Sequence, residues 1–194
     1  MIWEMNKKGK LIVISGPSGV GKSTVISRIL ENHPDMYFSV SATTRKPRPG
    51  EVDGVNYIFV TTEKFKDMIE RDELLEYAEY VGKYYGTPEK IIDEHLNAGH
   101  DVLLDIEVQG AMQIKARRPD SVRVFVAPPN LETLEHRLHK RGTDDEETIR
   151  KRVKRAVKEM EYIVIYDYIV VNDELENAVD DIEAIIRAEK LKTK

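Results

Sequence analysis

Cysteine is absent from this chain of 194 residues. Its absence excludes disulfide bonds, thiolate zinc sites and cysteine nucleophiles. Long apolar runs are missing too, since no stretch approaches the ~18 consecutive apolar residues of a membrane-spanning helix. The first eight residues, MIWEMNKK, lack the apolar core of a signal peptide. We therefore expect a soluble protein that has no membrane partner and is located in the cytoplasm.

Positive charge is in the minority, because the formal net charge is −5 at pH 7. This balance argues against a nucleic-acid partner, which prefers a broad basic face. Basic residues nevertheless gather in two places, between Arg45 and Arg48 and within residues 136–158. Two local clusters on an acidic chain predict two sites for small molecules that carry phosphate.

The segment from Gly16 to Ser23 matches the phosphate-loop pattern G-x-x-x-x-G-K-[ST] at every fixed position. An apolar run at 11–15 predicts a buried strand before it, and apolar residues at helical spacing predict a helix after it. Glycines and a helix N-terminus let backbone N–H groups approach phosphate oxygens. Lys22 can reach the β- and γ-phosphates, and the Ser23 hydroxyl can bind Mg²⁺ as the cofactor. The predicted triphosphate site consists of Gly16, Pro17, Ser18, Gly19, Val20, Gly21, Lys22, Ser23 and Thr24.

Predicted strands alternate with predicted helices, which indicates an α/β fold with a central parallel sheet. The strands are expected near 11–15, 55–60, 101–105, 121–127 and 167–171, and the helices near 22–32, 63–71, 88–97, 108–117, 131–140, 144–164 and 174–190. Thr143 is the expected N-cap of the helix at 144. Asp105 ends an apolar strand, where a carboxylate either lies near Mg²⁺ or caps the next helix.

Residues 36–87 break this alternation. They are rich in Tyr, Val, Thr and turn residues, which predicts a small, partly antiparallel β insertion. Arg45 and Arg48 lie there in an R-x-P-R array, where two guanidinium groups can hold one phosphate. The insertion is therefore the expected docking site of a second substrate.

This insertion closely resembles the nucleotide-monophosphate site of guanylate kinases. The matching motifs are residues 39–51 with Tyr57, then 75–78, 84–87, 104–110, 127–129, 137–143 and 171–173, so that the resemblance covers about residues 9–190. It implies a three-layer P-loop NTPase fold with a central parallel sheet, a small mixed β/α GMP-binding insertion and a helical lid. The implied single domain, 1–194, has its core at about 9–38, 97–130 and 160–194, the GMP-binding region at about 39–96 and the lid at about 131–159.

The resemblance also implies the reaction ATP + GMP ⇌ ADP + GDP in purine nucleotide metabolism, with Mg²⁺. Four residues would hold the GMP phosphate: Arg45, Arg48, Tyr57 and Tyr85. Four would read guanine: Ser41, Glu76, Thr87 and Glu107, the last of which is Asp in many family members. Glu51 would orient the arginine loop, and Gly86 and Asp105 complete the implied GMP site. Asn172 would contact adenine, and the implied catalytic side chains are Lys22, Arg45, Arg137, Arg141 and Arg152.

Hydrogen-bonding chemistry favours guanine at this site. Guanine presents two adjacent N–H donors and an acceptor, O6. A carboxylate such as Glu76 accepts from the donors, and the Ser41 and Thr87 hydroxyls can donate to O6. Adenine would instead turn a lone pair toward the carboxylate.

Two alternatives stay open at this point. One is another monophosphate kinase, acting on AMP, CMP or dTMP. The other is a non-catalytic guanylate-kinase-like module that binds phosphopeptides. The intact Lys22, Ser23 and lid arginines argue against the binding module.

Overall fold

The computed structural model describes residues 8–80, 82–142 and 144–192. Within them, the strands in chain order are β1 (Leu11–Ser15), β2 (Tyr37–Phe38), β3 (Ala42–Thr43), β4 (Ile58–Phe59), β5 (Leu74–Tyr80), β6 (Lys83–Pro88), β7 (Val102–Asp105), β8 (Val122–Ala127) and β9 (Tyr168–Val171). The α-helices are α1 (Lys22–Asn32), α2 (Thr62–Glu70), α3 (Glu89–Asn97), α4 (Val108–Arg117), α5 (Leu131–Arg141), α6 (Glu146–Met160) and α7 (Leu175–Leu191).

Five strands form the larger sheet, in the order β2-β7-β1-β8-β9. β2 pairs with β7, β1 with β8, and β8 with β9, in each case in parallel. Every residue of β1 and β8 is buried, which is typical of the inner strands of a parallel sheet. The predicted α/β class with a central parallel sheet is confirmed.

Four strands form a second sheet, in the order β4-β3-β6-β5. β3 is parallel to β4 and antiparallel to β6, and β5 is antiparallel to β6, so the predicted β insertion is indeed partly antiparallel. Phe65 and Met68 of α2 pack with Ala42 and Leu74 beneath this sheet. The sequence predicted only one of these strands, near 55–60, where β4 lies; β3, β5 and β6 were not predicted as strands.

The chain divides into two compact units. Among the described residues, unit 1 comprises 8–11, 35–104 and 109–121, and it contains the four-stranded sheet. Unit 2 comprises 12–34, 105–108 and 122–192, and it contains α1 and α5 to α7. A core cluster of unit 2 packs Phe125 against Tyr166 and neighbouring apolar residues.

Six helices begin and end within one residue of the predicted bounds, and α6 is the exception. It starts at Glu146, because the Asp145 side chain accepts a hydrogen bond from the Thr148 N–H and serves as the N-cap. The prediction of Thr143 as the N-cap was wrong, and Thr143 itself lies outside the described residues. α6 also ends early, at Met160, and a 3-10 turn follows at Ile163–Ile165.

Candidate nucleotide-binding sites

The phosphate loop of unit 2 connects β1 to α1. Residues 16–21 form the loop, and Lys22, Ser23 and Thr24 form the first turn of α1. Gly21 is the N-cap with a φ of 99°, and no side chain caps the helix. A Cβ at Gly21 would lie 2.6 Å from the Asn172 amide nitrogen, so glycine is required there by space as well as by conformation. The uncapped N–H groups and the positive end of α1 suit a phosphate anion.

The Lys22 side chain contacts the first residue of this loop, Gly16. Its Nζ donates to the Gly16 carbonyl at 2.8 Å and lies 3.9 Å from Oδ1 of Asp105, the last residue of β7. Loss of water around the Asp105 carboxylate raises its pKa, and the Lys22 charge opposes that rise. The Asp105 carboxylate thus lies beside the phosphate-loop lysine.

Two side chains from outside the loop support it by binding backbone carbonyls. The buried Asn172, directly after β9, donates to the Val20 carbonyl at 2.8 Å. Arg137 of α5 donates to the carbonyls of Val20, Asn172 and Asp173. In this arrangement Asn172 and Arg137 stabilise the loop conformation, a contact that the sequence did not predict.

The other two predicted lid arginines differ in their surroundings. Arg152 of α6 donates to the Ser18 hydroxyl at 3.2 Å and lies 3.3 Å from an Asp144 carboxylate oxygen. Arg141 is exposed at the last residue of α5. The structure therefore brings Arg137 and Arg152 to the phosphate loop.

The arginine loop of unit 1 is held by one carboxylate. Arg45 donates from both terminal nitrogens to the two oxygens of Glu51, each at 2.8 Å, and the Arg48 backbone N–H donates to the same group at 2.7 Å. These bonds, the Arg45 contact above all, lower the pKa of Glu51 to about 2. Glu51 therefore connects the Arg45 side chain and the Arg48 backbone within this loop.

Aromatic rings complete this cluster. The Arg45 guanidinium lies 5.0 Å from the centroid of the Tyr57 ring, and Tyr57 contacts the edge of Tyr85 at 6.1 Å between centroids. A cation over a tyrosine face is attracted to the ring. The predicted phosphate-holding residues Arg45, Tyr57 and Tyr85 are thus neighbours, with Arg48 exposed on the same loop.

The predicted guanine-reading pair lies on adjacent strands of the same unit. Glu76 of β5 faces Thr87 of β6 in the strand register, and both are buried. The Thr87 hydroxyl donates to Glu76 Oε1 at 2.7 Å. A hydroxyl has one proton, so Thr87 does not donate to guanine O6 while this bond exists. The structure therefore differs from the expected donor role of Thr87 and makes it a support for the Glu76 carboxylate.

Ser41 and Gly86 flank that pair. Ser41 is half-buried directly before β3, and Gly86 is paired with Ala42 on one side and Tyr77 on the other. A Cβ at Gly86 would approach the Glu76 carbonyl oxygen to 2.9 Å and the Phe65 ring to 3.0 Å. Only glycine lets the backbones approach this closely.

Glu107 lies in unit 2, between β7 and α4. Its Oε2 accepts a hydrogen bond from Nη2 of Arg155, on α6. Arg155 was not predicted as a site residue from the sequence. Two signals were available: its place in the basic segment 136–158 and its spacing from Glu159, one helical turn later. Both also fit ordinary exposed charges.

No helix among the described residues is long and apolar enough to cross a membrane. Nor do those residues contain a cluster of three or more histidine, aspartate or glutamate side chains suited to a metal ion.

The parallel sheet, the glycine-rich loop before α1 and the neighbouring Lys22 define a phosphate-loop nucleotide-binding protein. Comparison with known proteins narrows the class. The family model for guanylate kinase matches residues 8–189. Guanylate kinase from Latilactobacillus sakei subsp. sakei (strain 23K) is 55% identical over 189 residues, covering 97% of this chain and 93% of the relative. Guanylate kinase from Desulfitobacterium hafniense (strain Y51) is 53% identical over 186 residues, covering 96% and 93%.

A solved structure agrees with these relatives. The crystal structure of guanylate kinase from Anaplasma phagocytophilum has a TM-score of 0.78 and 34% identity, and the match covers 96% of this chain and 89% of that one. The chain belongs to the guanylate kinase family. The expectation of an enzyme of this family is thereby confirmed, and nothing in these findings supports the alternative of a non-catalytic module.

Proposed function

We infer that the protein transfers the γ-phosphoryl group of ATP to GMP, giving ADP and GDP, as an enzyme of purine nucleotide metabolism. The observation that carries the choice of GMP is the buried Glu76 carboxylate, oriented by the Thr87 hydroxyl at 2.7 Å. Guanine offers two adjacent N–H donors to such a carboxylate, whereas adenine would present a lone pair. Adenine, cytosine and thymine do not offer two adjacent N–H donor groups, so they would leave part of this buried carboxylate unpaired, which is costly.

We propose that the arginine loop binds the phosphate of GMP. Arg45 and Arg48 supply positive charge, and Tyr57 and Tyr85 supply hydroxyl groups. Glu51 keeps the Arg45 fork in place before the substrate arrives. Because this order is present without ligand, less conformational entropy is lost when GMP binds.

The phosphate loop is the proposed ATP site. Lys22, the N–H groups at the start of α1 and the guanidinium groups of Arg137, Arg141 and Arg152 would compensate the charge of the triphosphate. The acceptor is already an oxyanion, so no general base is needed. Catalysis then consists of alignment and charge neutralisation.

Mg²⁺ fits the residues at this loop. The exposed Ser23 hydroxyl and the Asp105 carboxylate next to Lys22 are oxygen donors, which Mg²⁺ prefers. We propose that Ser23 binds the ion that accompanies ATP. When bound, Mg²⁺ supplies positive charge to the phosphates.

We also propose how the chain is divided into regions and where the protein is located. The core would comprise about 9–38, 97–130 and 160–194, with a GMP-binding region at about 39–96 and a lid at about 131–159. The absence of cysteine and the formal net charge of −5 support a cytoplasmic protein without a nucleic-acid partner. Cell fractionation would test the location.

A coupled assay that detects ADP tests the reaction, with ATP as the donor and GMP, AMP, CMP and dTMP as acceptors. We expect rapid turnover with GMP alone and none without Mg²⁺. Faster turnover with AMP, CMP or dTMP would show that this nucleotide, and not GMP, is the preferred acceptor. Binding of GMP without turnover in the presence of Mg²⁺ and ATP would contradict the proposed catalysis.

A further inference from the structure

Arg155 of α6 connects two carboxylates in unit 2. Its Nη2 donates to Oε2 of Glu107, and its Nε donates to Oε1 of Glu159 at 2.8 Å. Glu159 lies one helical turn later, and only 15% of its side chain is exposed. The more buried carboxylate therefore holds the guanidinium group on its helix, and the guanidinium group in turn holds Glu107.

The Glu107 backbone is fixed from both sides. The Ile106 N–H donates to the Ile14 carbonyl at 3.3 Å, and α4 begins at Val108. The Glu107 side chain, by contrast, is 54% exposed. It has one more rotatable bond than the Asp that many family members carry at this position. Fixing such a flexible side chain when a ligand binds costs rotamer entropy, unless a partner has already oriented the side chain.

We propose that Arg155 is a positioning residue for guanine recognition. It orients the Glu107 carboxylate through Oε2, so that this carboxylate accepts a hydrogen bond from the exocyclic amino group of guanine. An ionised carboxylate has about four acceptor positions, so Arg155 and guanine can bind it together. The inference rests on the proposed function and on the guanine contact that the family resemblance implies for Glu107.

The opposite arrangement is that Arg155 competes with guanine for Glu107. The two roles of Arg155 predict opposite effects on the KM for GMP. A competitor raises the KM for GMP while it is present, whereas a positioning residue lowers it. Removal of the guanidinium group therefore distinguishes them.

Arg155→Ala is the test, with GMP and IMP as acceptors. IMP lacks the exocyclic amino group and otherwise matches GMP. We expect the KM for GMP to rise about tenfold, as the loss of one hydrogen bond to a charged group implies. The KM for IMP, the KM for ATP and kcat should change by less than about twofold. The preference for GMP over IMP then falls about tenfold.

Arg150→Ala is the matched control, since Arg150 is an exposed arginine on the same helix. It should leave all four constants unchanged. Arg155→Lys should recover only part of the preference, because an ammonium group cannot donate to two carboxylates with the fixed fork of arginine. In a Glu107→Gln background, Arg155→Ala should add little.

Three results would overturn the proposal. A lower KM for GMP would make Arg155 a competitor. An equal change with GMP and IMP, or no change with either, would remove it from base recognition. If thermal unfolding shows that Arg155→Ala does not fold, Arg155→Gln gives the same comparison. Failure of the proposed function is separate, because the unmodified protein would then not phosphorylate GMP.

Discussion

The two units hold their candidate ligand-binding groups in different ways. At the phosphate loop of unit 2, the supporting contacts run from side chains to backbone carbonyls: Lys22 to Gly16, Asn172 to Val20, and Arg137 to three carbonyls. In unit 1, side chains hold one another, as in Arg45 with Glu51 and Thr87 with Glu76. A loop that binds through backbone N–H groups needs its backbone fixed, whereas a site that selects a base needs its side chains fixed.

This difference between the two sites predicts which kinetic constants respond to a substitution. Changes at the loop should affect phosphoryl transfer, and changes in the insertion should affect the use of GMP. The substitutions below test that division, from the largest expected effect to the smallest.

Lys22→Ala should lower kcat by about 10³-fold, because it removes a preorganised positive charge from the transferring phosphoryl group. GMP binding, measured by calorimetry without ATP, should be nearly unchanged. Lys66→Ala, at an exposed position of α2, is the control. Near-normal turnover in Lys22→Ala would refute the assignment of the phosphate loop.

Glu76→Gln should lower kcat/KM for GMP by about 10²-fold. The amide places a donor opposite the N–H donors of guanine and leaves polar groups unpaired. Glu79→Gln changes an exposed carboxylate on the same strand and should have no effect. Unchanged GMP kinetics in Glu76→Gln would remove Glu76 from the base site.

Thr87→Val should raise the KM for GMP by about tenfold, since it removes the hydroxyl that orients Glu76. Thr87→Ser keeps the hydroxyl and should restore most of the affinity. If Thr87→Val leaves the KM for GMP unchanged, the proposed support of Glu76 is incorrect.

The smallest expected effect is on titration of Glu51, whose pKa is lowered from 4.5 to about 2. A lowered pKa in the folded state means that the ionised group stabilises the fold above about pH 4.5. This contribution is lost as the pH falls toward 2. Carboxyl NMR should give a midpoint near 2, which returns toward 4.5 in Arg45→Gln. A midpoint near 4.5 in the unmodified protein would contradict the Arg45–Glu51 contact.

Prediction from the sequence succeeded best where a pattern is contiguous. β1 and α1 have the predicted bounds, and the phosphate loop lies between them. The four-stranded sheet was predicted only in outline. A strand was expected near 55–60, where β4 lies, but not at β3, β5 or β6. β3 has only two residues, and it pairs with residues distant in the chain. Thr143 was assigned as an N-cap from a local pattern, but Asp145 caps α6.

The sequence by itself determined the phosphate loop, the alternation of strands and helices, and the family. These features depend on residues that are near one another in the chain, or on motifs in a fixed order. Only the tertiary structure decided that Thr87 donates to Glu76, that Arg137 and Asn172 support the phosphate loop, and that Arg155 binds Glu107. Each of these contacts joins residues 11 to 152 positions apart, and their hydrogen bonds depend on geometry that no local spacing encodes.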